Sequence, residues 1–167
     1  MKRAALLLLL LGLAACDKLG GTYMNTKDAE PPPPIPDDKS ADWRLYGQEA
    51  GFDTKVSYDS IETVQADGYS DPLVYVWVLR EFKADQKSSF EDEYDYRKEY
   101  DRFVIDCAKR QIAGIAVERH DKDGDQTSRR DVPGFQWEFQ PAGQGNYQAD
   151  FVNQVCQAAK QKTAAGQ

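Results

Sequence analysis

Seven consecutive apolar residues, Leu73-Val74-Tyr75-Val76-Trp77-Val78-Leu79, limit what this chain can fold into more than any other stretch. Alternate side chains of an extended segment point to opposite faces, so Leu73, Tyr75, Trp77 and Leu79 share one side and Val74, Val76 and Val78 the other. A strand with one wet face alternates apolar and polar residues; this one is apolar on both and has to be covered twice. Its β-branched and aromatic content, and the turn chemistry of Asp67-Gly68 and Asp71-Pro72 ahead of it, favour strand over helix. The segment is therefore the centre of a sheet, and a helix or a second subunit must cover one of its faces.

The remaining elements assemble around it. Asp42-Trp43-Arg44-Leu45-Tyr46 and Lys55–Ile61, with its Val56 and Tyr58, read as strands near a sheet edge. From Lys83 to Glu99 the chain turns polar, with Glu91-Asp92-Glu93 interleaved with Tyr94, Tyr96 and Tyr100, as in an exposed loop or a solvated hairpin arm. Tyr100 to Cys107 alternates again and puts Phe103, Ile105 and Cys107 on one face. Ile112–His120 and Gln126–Val132 flank a turn centred on Asp123-Gly124 and predict a hairpin. Gly134–Gln140 predicts one more strand, with Phe135, Trp137 and Phe139 on one side, ended by Pro141. Tyr147–Lys162 carries Phe151, Val152, Val155, Cys156 and Ala159 on one helical stripe. The expected fold is α+β: one domain, mainly an antiparallel sheet of about five to six strands, with a packed C-terminal helix.

Ahead of this domain lies a different kind of sequence. Lys2-Arg3, the apolar run Ala4–Leu13, and small Ala14 and Ala15 directly before Cys16 form a secretion signal too short to span a bilayer as a mature helix. Leu13-Ala14-Ala15-Cys16 resembles the lipobox of bacterial lipoproteins, which implies removal of residues 1–15 and lipidation of Cys16. The following residues, through Pro31–Pro34 and Pro36 to Ser40, hold few apolar side chains and read as a disordered tether. At about 3.1 Å per residue in an extended proline-rich chain, it reaches roughly 70 Å from the membrane. The predicted organisation is thus signal peptide 1–15, lipidated cysteine and tether 16–40, domain 41–162, and tail 163–167.

Charge and cysteine usage narrow the function. With 21 Lys and Arg against 28 Asp and Glu, the net charge is -7, which argues against nucleic acid as a partner. Once Cys16 is assigned to lipid, two of the three cysteines remain, both on inward faces in an oxidising compartment, so Cys107 and Cys156 are expected to form a disulfide. Asp121, Asp123 and Asp125 suggest a calcium loop, yet glycine comes fourth instead of sixth and Val132 stands where a bidentate Glu is required; a solvated turn explains them better. His120, the single histidine, lacks a nucleophile signature and reads as a solvated strand-end residue. No catalytic group, metal or cofactor site is predicted, since the chain lacks a dinucleotide fingerprint, a phosphate-binding loop and a His/Cys cluster.

Trp43, Tyr58-Asp59-Ser60-Ile61, Val74-Tyr75-Val76-Trp77-Val78, Asp106-Cys107, Trp137, Pro141 and Val155-Cys156, taken in order, resemble the pattern of a known family, the surface-adhesin protein E-like lipoproteins of Gram-negative bacteria. The resemblance implies an antiparallel sheet packed by a helix, a lipid anchor, and a non-catalytic binding module whose ligand is a host matrix or envelope protein. It carries over no ligand-binding residue. The expected location is the envelope, at the outer membrane or cell surface, with the inner membrane as the alternative raised by Asp17. Competing readings are an envelope enzyme built around His120 or the acidic stretch, and a periplasmic structural or assembly lipoprotein.

Overall fold

The computed structural model describes residues 33–88, 94–143 and 145–166. In chain order the elements are β1 (Trp43–Gln48), β2 (Phe52–Ser57), β3 (Glu62–Val64), β4 (Leu73–Lys87), β5 (Asp95–Asp106), β6 (Gln111–His120), β7 (Gln126–Asp131), β8 (Gln140–Pro141) and α1 (Tyr147–Ala164). All eight strands form one antiparallel sheet in the order β1-β2-β4-β5-β6-β7, with β3 also paired to β4 and β8 to β6. The α+β class is as expected; the strand count is higher because β3 and β8 are fragments of three and two residues.

β4 is central, and each of its faces has its own cover. Val74, Val76 and Val78 lie with Ile105 and Ile112 beneath Phe151, Val152, Val155 and Ala159 of α1. The opposite face, Leu73, Trp77 and Leu79 with Val104, Tyr100, Ala113 and Ala116, is roofed by irregular chain bearing Ile35, Ala66, Tyr69, Trp137 and Phe139. Where β2 ends and β3 has yet to begin, Ser60 fills the gap: its hydroxyl accepts the Trp77 N–H at 2.9 Å, so the exposed ladder position keeps a partner.

Three local devices fix the helix over the valine face. Asn146 caps its start, the side-chain oxygen accepting the Ala149 N–H at 2.8 Å. The Cys107–Cys156 disulfide, with Cα atoms 5.9 Å apart, ties it to the end of β5. Lys162 donates to the carbonyls of Tyr58, Asp59 and Ile61 at 2.8–3.1 Å, pinning its last turn to the β2–β3 connection.

The structure departs from the sequence reading in three segments. Gly134–Gln140 is not a strand: a 3-10 turn occupies Gly134–Gln136, and only Gln140–Pro141 joins the sheet. Pro133 removes a donor just before it, and Trp137 turns across the sheet to donate its indole N–H to Val132 O at 2.9 Å. Trp137 and Phe139 therefore roof the Leu73 face, while Phe135, expected beside them, is 75% exposed. The strand expected over Lys55–Ile61 runs instead from Phe52 to Ser57 and then turns. Finally, the compact unit begins at Pro33, inside the predicted tether. Ile35 packs on the cluster of Trp77, Leu79 and Tyr100, and Asp38 accepts hydrogen bonds from the Tyr100 hydroxyl at 2.7 Å and from the Lys98 ammonium. A single isoleucine and a well-placed carboxylate order a segment that composition alone marks as open chain.

Candidate functional site

β4 and β5 run on past the N-terminal end of α1, and their alternation continues. After Val76 and Val78, the same face of β4 presents Arg80 and then Phe82. Pairing sets Asp101 opposite Val78 and Glu99 opposite Arg80 on β5, Arg119 opposite Glu99 on β6, and Thr54 and Phe52 opposite Arg80 and Phe82 on β2. One face of one sheet thus has a lower half of valine and isoleucine under the helix and an upper half of charge and aromatic rings beyond it.

The upper half is internally bonded. Arg80 reaches Asp101 Oδ2 at 2.8 Å and pairs with Glu99. Arg119 Nε donates to the other Glu99 oxygen at 2.6 Å, and Arg119 NH1 donates to the Tyr94 hydroxyl at 2.9 Å. Tyr94 meets Ser128 Oγ at 2.7 Å, and the Arg119 guanidinium lies 4.7 Å from the Tyr96 ring. Rings extend the patch sideways, with centroids 5.5 Å apart for Phe52 and Phe82, 5.6 Å for Phe82 and Tyr96, and 6.3 Å for Tyr96 and Tyr94. Phe52, Phe82, Tyr94 and Tyr96 are all half-buried.

Burial and charge act on these groups in different directions. Burial holds the Asp101 carboxyl above its ordinary value of 3.8, although Arg80 pulls the other way. Burial also works against the Arg119 cation, but hydrogen bonds to Glu99 and Tyr94 outweigh it and keep the guanidinium charged. Burial would raise the Tyr94 phenol, yet hydrogen bonds from Ser128, Ser88 and Arg119 bring it below 10.0.

At the foot of this patch, where the first turn of α1 meets the sheet, lies a cavity of about 360 Å³. Phe52, Val78, Phe103, Ile112 and Phe151 supply apolar walls, and Thr54, Tyr147, Arg80, Asp101 and Glu49 supply polar groups. Only one oxygen of Asp101 is engaged by Arg80; the other, Oδ1, accepts no hydrogen bond among the described residues. The Tyr147 ring closes one side by packing on Tyr46 at 4.8 Å. It also lies over Gly47, where even a Cβ would come within 3.1 Å of its hydroxyl.

The residues singled out from sequence fall in several places. Asp121 accepts the N–H groups of Asp123 and Asp125 at 2.9 and 3.0 Å, while Asp123 pairs with Lys122, which makes this a self-bonded turn. Among the described residues no group of three or more metal-ligating side chains is gathered. His120 differs from the solvated residue expected. Its Nε2 lies 2.7 Å from Glu118 Oε1 and its Nδ1 2.9 Å from Gly124 O, and the ring packs edge-on against Tyr100 with 20% of the side chain exposed. The tyrosines of the acidic stretch divide: Tyr94 and Tyr96 join the upper patch, whereas Tyr100 is buried on the opposite face. Glu91, Asp92 and Glu93, like Cys16, lie outside the described residues. Cys107 and Cys156 are brought together as expected.

Arg80, Arg119, Phe52 and Phe82 were not anticipated from sequence. The signal for two of them was present, since Val76, Val78, Arg80 and Phe82 keep a strict period of two beyond the apolar run.

Residues 43–157 match the family described as surface-adhesin protein E. No curated protein and no solved structure matches the chain.

Proposed function

We propose, from the premise that the chain belongs to the surface-adhesin protein E family, that it is a lipid-anchored, non-catalytic module that binds a protein at the cell envelope, with a host matrix protein as the ligand. Family membership suggests a surface adhesin role. The observation that carries the binding reading is the upper half of the valine face. There Phe52, Phe82 and Tyr96, two arginines and two carboxylates lie on paired strands past the N-terminal end of the helix, with Tyr94 just ahead of β5. Aromatic and arginine side chains are the groups that dominate protein interfaces, and strands hold them with little entropy left to lose on binding. The location reading rests on the lipobox, with residues 1–15 removed, Cys16 lipidated and the proline-rich chain acting as tether. No described helix is long and apolar enough to cross a membrane.

Two measurements test this. Mass spectrometry of the chain from bacterial membranes should find a diacylated Cys16 at the mature N-terminus; an unmodified cysteine or cleavage elsewhere overturns the anchor. Binding of the full chain to immobilised basement-membrane extract should fall about tenfold or more when Phe82 and Tyr96 are both replaced by alanine, as loss of two interface anchors requires. Unchanged binding in a folded double variant removes the upper patch from the interface.

A further inference from the structure

The cavity at the foot of the upper patch combines features that neither the family match nor the anchor accounts for. Its walls are aliphatic and aromatic, and its polar groups are unbalanced. Arg80 is committed to Glu99 and Asp101, so the cation is spoken for, while Asp101 Oδ1 has no hydrogen-bond partner among the described residues and Glu49 is exposed at the cavity. The Asp101 side chain is only 15% exposed, so an occupant that covers Oδ1 without bonding it would strand a desolvated carboxylate oxygen. An anionic occupant would meet two carboxylates. A purely apolar one would fill the walls and leave Oδ1 bare. A guanidinium recognises a carboxylate through two parallel hydrogen bonds, and Oδ2 is already taken by Arg80, so that geometry is blocked. An ammonium on an apolar stem needs one free carboxylate oxygen beside apolar walls, and Asp101 lines this cavity with Phe52, Val78 and Phe151.

We propose that this cavity receives a lysine side chain of the protein ligand, its methylene stem lying along Phe52, Val78 and Phe151 and its ammonium meeting Asp101 Oδ1, with Glu49 at the mouth. The proposal rests on the reading of the domain as a protein-binding module and specifies which side chain of the ligand it takes. Burial raises Asp101 above the ordinary carboxylate range, and an ammonium at Oδ1 would act in the opposite direction, favouring the ionised carboxylate.

The test uses the full-length, isotope-labelled chain in detergent, titrated with Nα-acetyl-lysine methylamide and followed by two-dimensional NMR. The norleucine analogue, which keeps the stem and lacks the charge, serves as the comparison. The lysine amide should shift the resonances of Thr54, Val78 and Ile112 and bind about tenfold tighter than the norleucine amide, as a charge-assisted hydrogen bond requires. Asp101→Asn, which keeps the shape, should abolish that preference, and Glu49→Gln, at an exposed position, should reduce it by about twofold. Equal affinity for the two amides overturns the assignment, as does an undiminished preference in folded Asp101→Asn; the comparison between amides needs no variant to fold.

A second arm separates this assignment from the function it rests on. Basement-membrane extract is offered before and after lysine acetylation. Capture that is lost on acetylation, together with binding of the lysine amide, supports both. Capture that survives acetylation, without binding of the lysine amide, overturns the cavity assignment and leaves the adhesin reading standing. Binding of the lysine amide with no capture of matrix protein overturns the adhesin reading alone.

Discussion

The lower and upper halves of the valine face are built from the same strands in one continuous register, yet they do opposite things. Below, Val74, Val76, Ile105 and Ile112 are buried under α1 and carry the cohesion of the domain. Above, Arg80, Glu99 and Asp101 occupy the equivalent positions, and among the described residues their own network, a few rings and the first turn of α1 at the cavity shield them. The backbone is indifferent to the change; the side chains alone decide which half the helix can cover. A helix laid over the upper half would have to desolvate an ion-pair cluster, at a cost that mutual attraction seldom offsets in full. So the helix begins at Tyr147, and the sheet beyond it stays open for a partner with complementary chemistry.

If the lower half carries stability, breaking it should cost most. Removing the disulfide with Cys107→Ser and Cys156→Ser frees a loop whose ends are 49 residues apart, for which loop-closure entropy gives a loss of about 4 kcal/mol. Denaturant unfolding of the double variant measures it. Val152→Ala, at a side chain 1% exposed between helix and sheet, should cost about 2 kcal/mol through lost burial and the cavity left behind. Asn146→Ala, which removes the cap from the Ala149 N–H, should cost about 1 kcal/mol. The disulfide variant and Val152→Ala should leave ligand binding in the folded state unchanged, whereas Asn146→Ala, next to the cavity wall Tyr147, is read for stability alone; a drop in affinity from folded Val152→Ala would blur the division between the halves.

How much of this was legible beforehand follows from what each half uses to hold itself. The lower half rests on periodicity, and periodicity is written in the chain: the double-sided strand around Val76, the inward stripe of Val152 and Val155, and the facing cysteines all led to the observed packing. The upper half rests on the register between paired strands. That Arg119 would meet Glu99 depends on the register of β5 against β6, including a bulge between Arg102 and Phe103, and no local pattern encodes that. The same holds for Asp38, whose carboxylate finds Tyr100 across 62 positions and orders the end of a proline-rich segment. Phe135, Trp137 and Phe139 misled for a related reason: their alternation imitates a strand, but a proline and an indole hydrogen bond turn the segment so that Trp137 and Phe139 roof the Leu73 face and Phe135 is left exposed.

The sharpest contrast comes from two aspartates of β5 that titrate in opposite senses. Asp106 is buried, which would raise its pKa, but the backbone N–H of Lys109 at 2.9 Å and the Lys109 ammonium at 3.0 Å outweigh burial and hold it below 3.8. Its stabilising contribution is therefore present above 3.8 and lost as pH falls through the lower folded value. Asp101 is raised, burial being the largest cause, so its contribution is present below 3.8 and lost as pH rises through the higher folded value. Neither asparagine variant can titrate at that position. Asp106→Asn should thus melt below the wild type at neutral pH, with the gap narrowing in acid. Asp101→Asn should melt at or above the wild type at neutral pH, keeping Glu99 as the partner of Arg80, and lose that advantage as the pH falls below 3.8. Melting temperatures of the three proteins across this range decide it. An Asp101→Asn variant that is more stable yet has lost its preference for lysine would show a carboxylate kept for binding at the expense of stability. One that is destabilised at neutral pH like Asp106→Asn would instead make Asp101 a structural ion-pair partner and erase the distinction between the two halves.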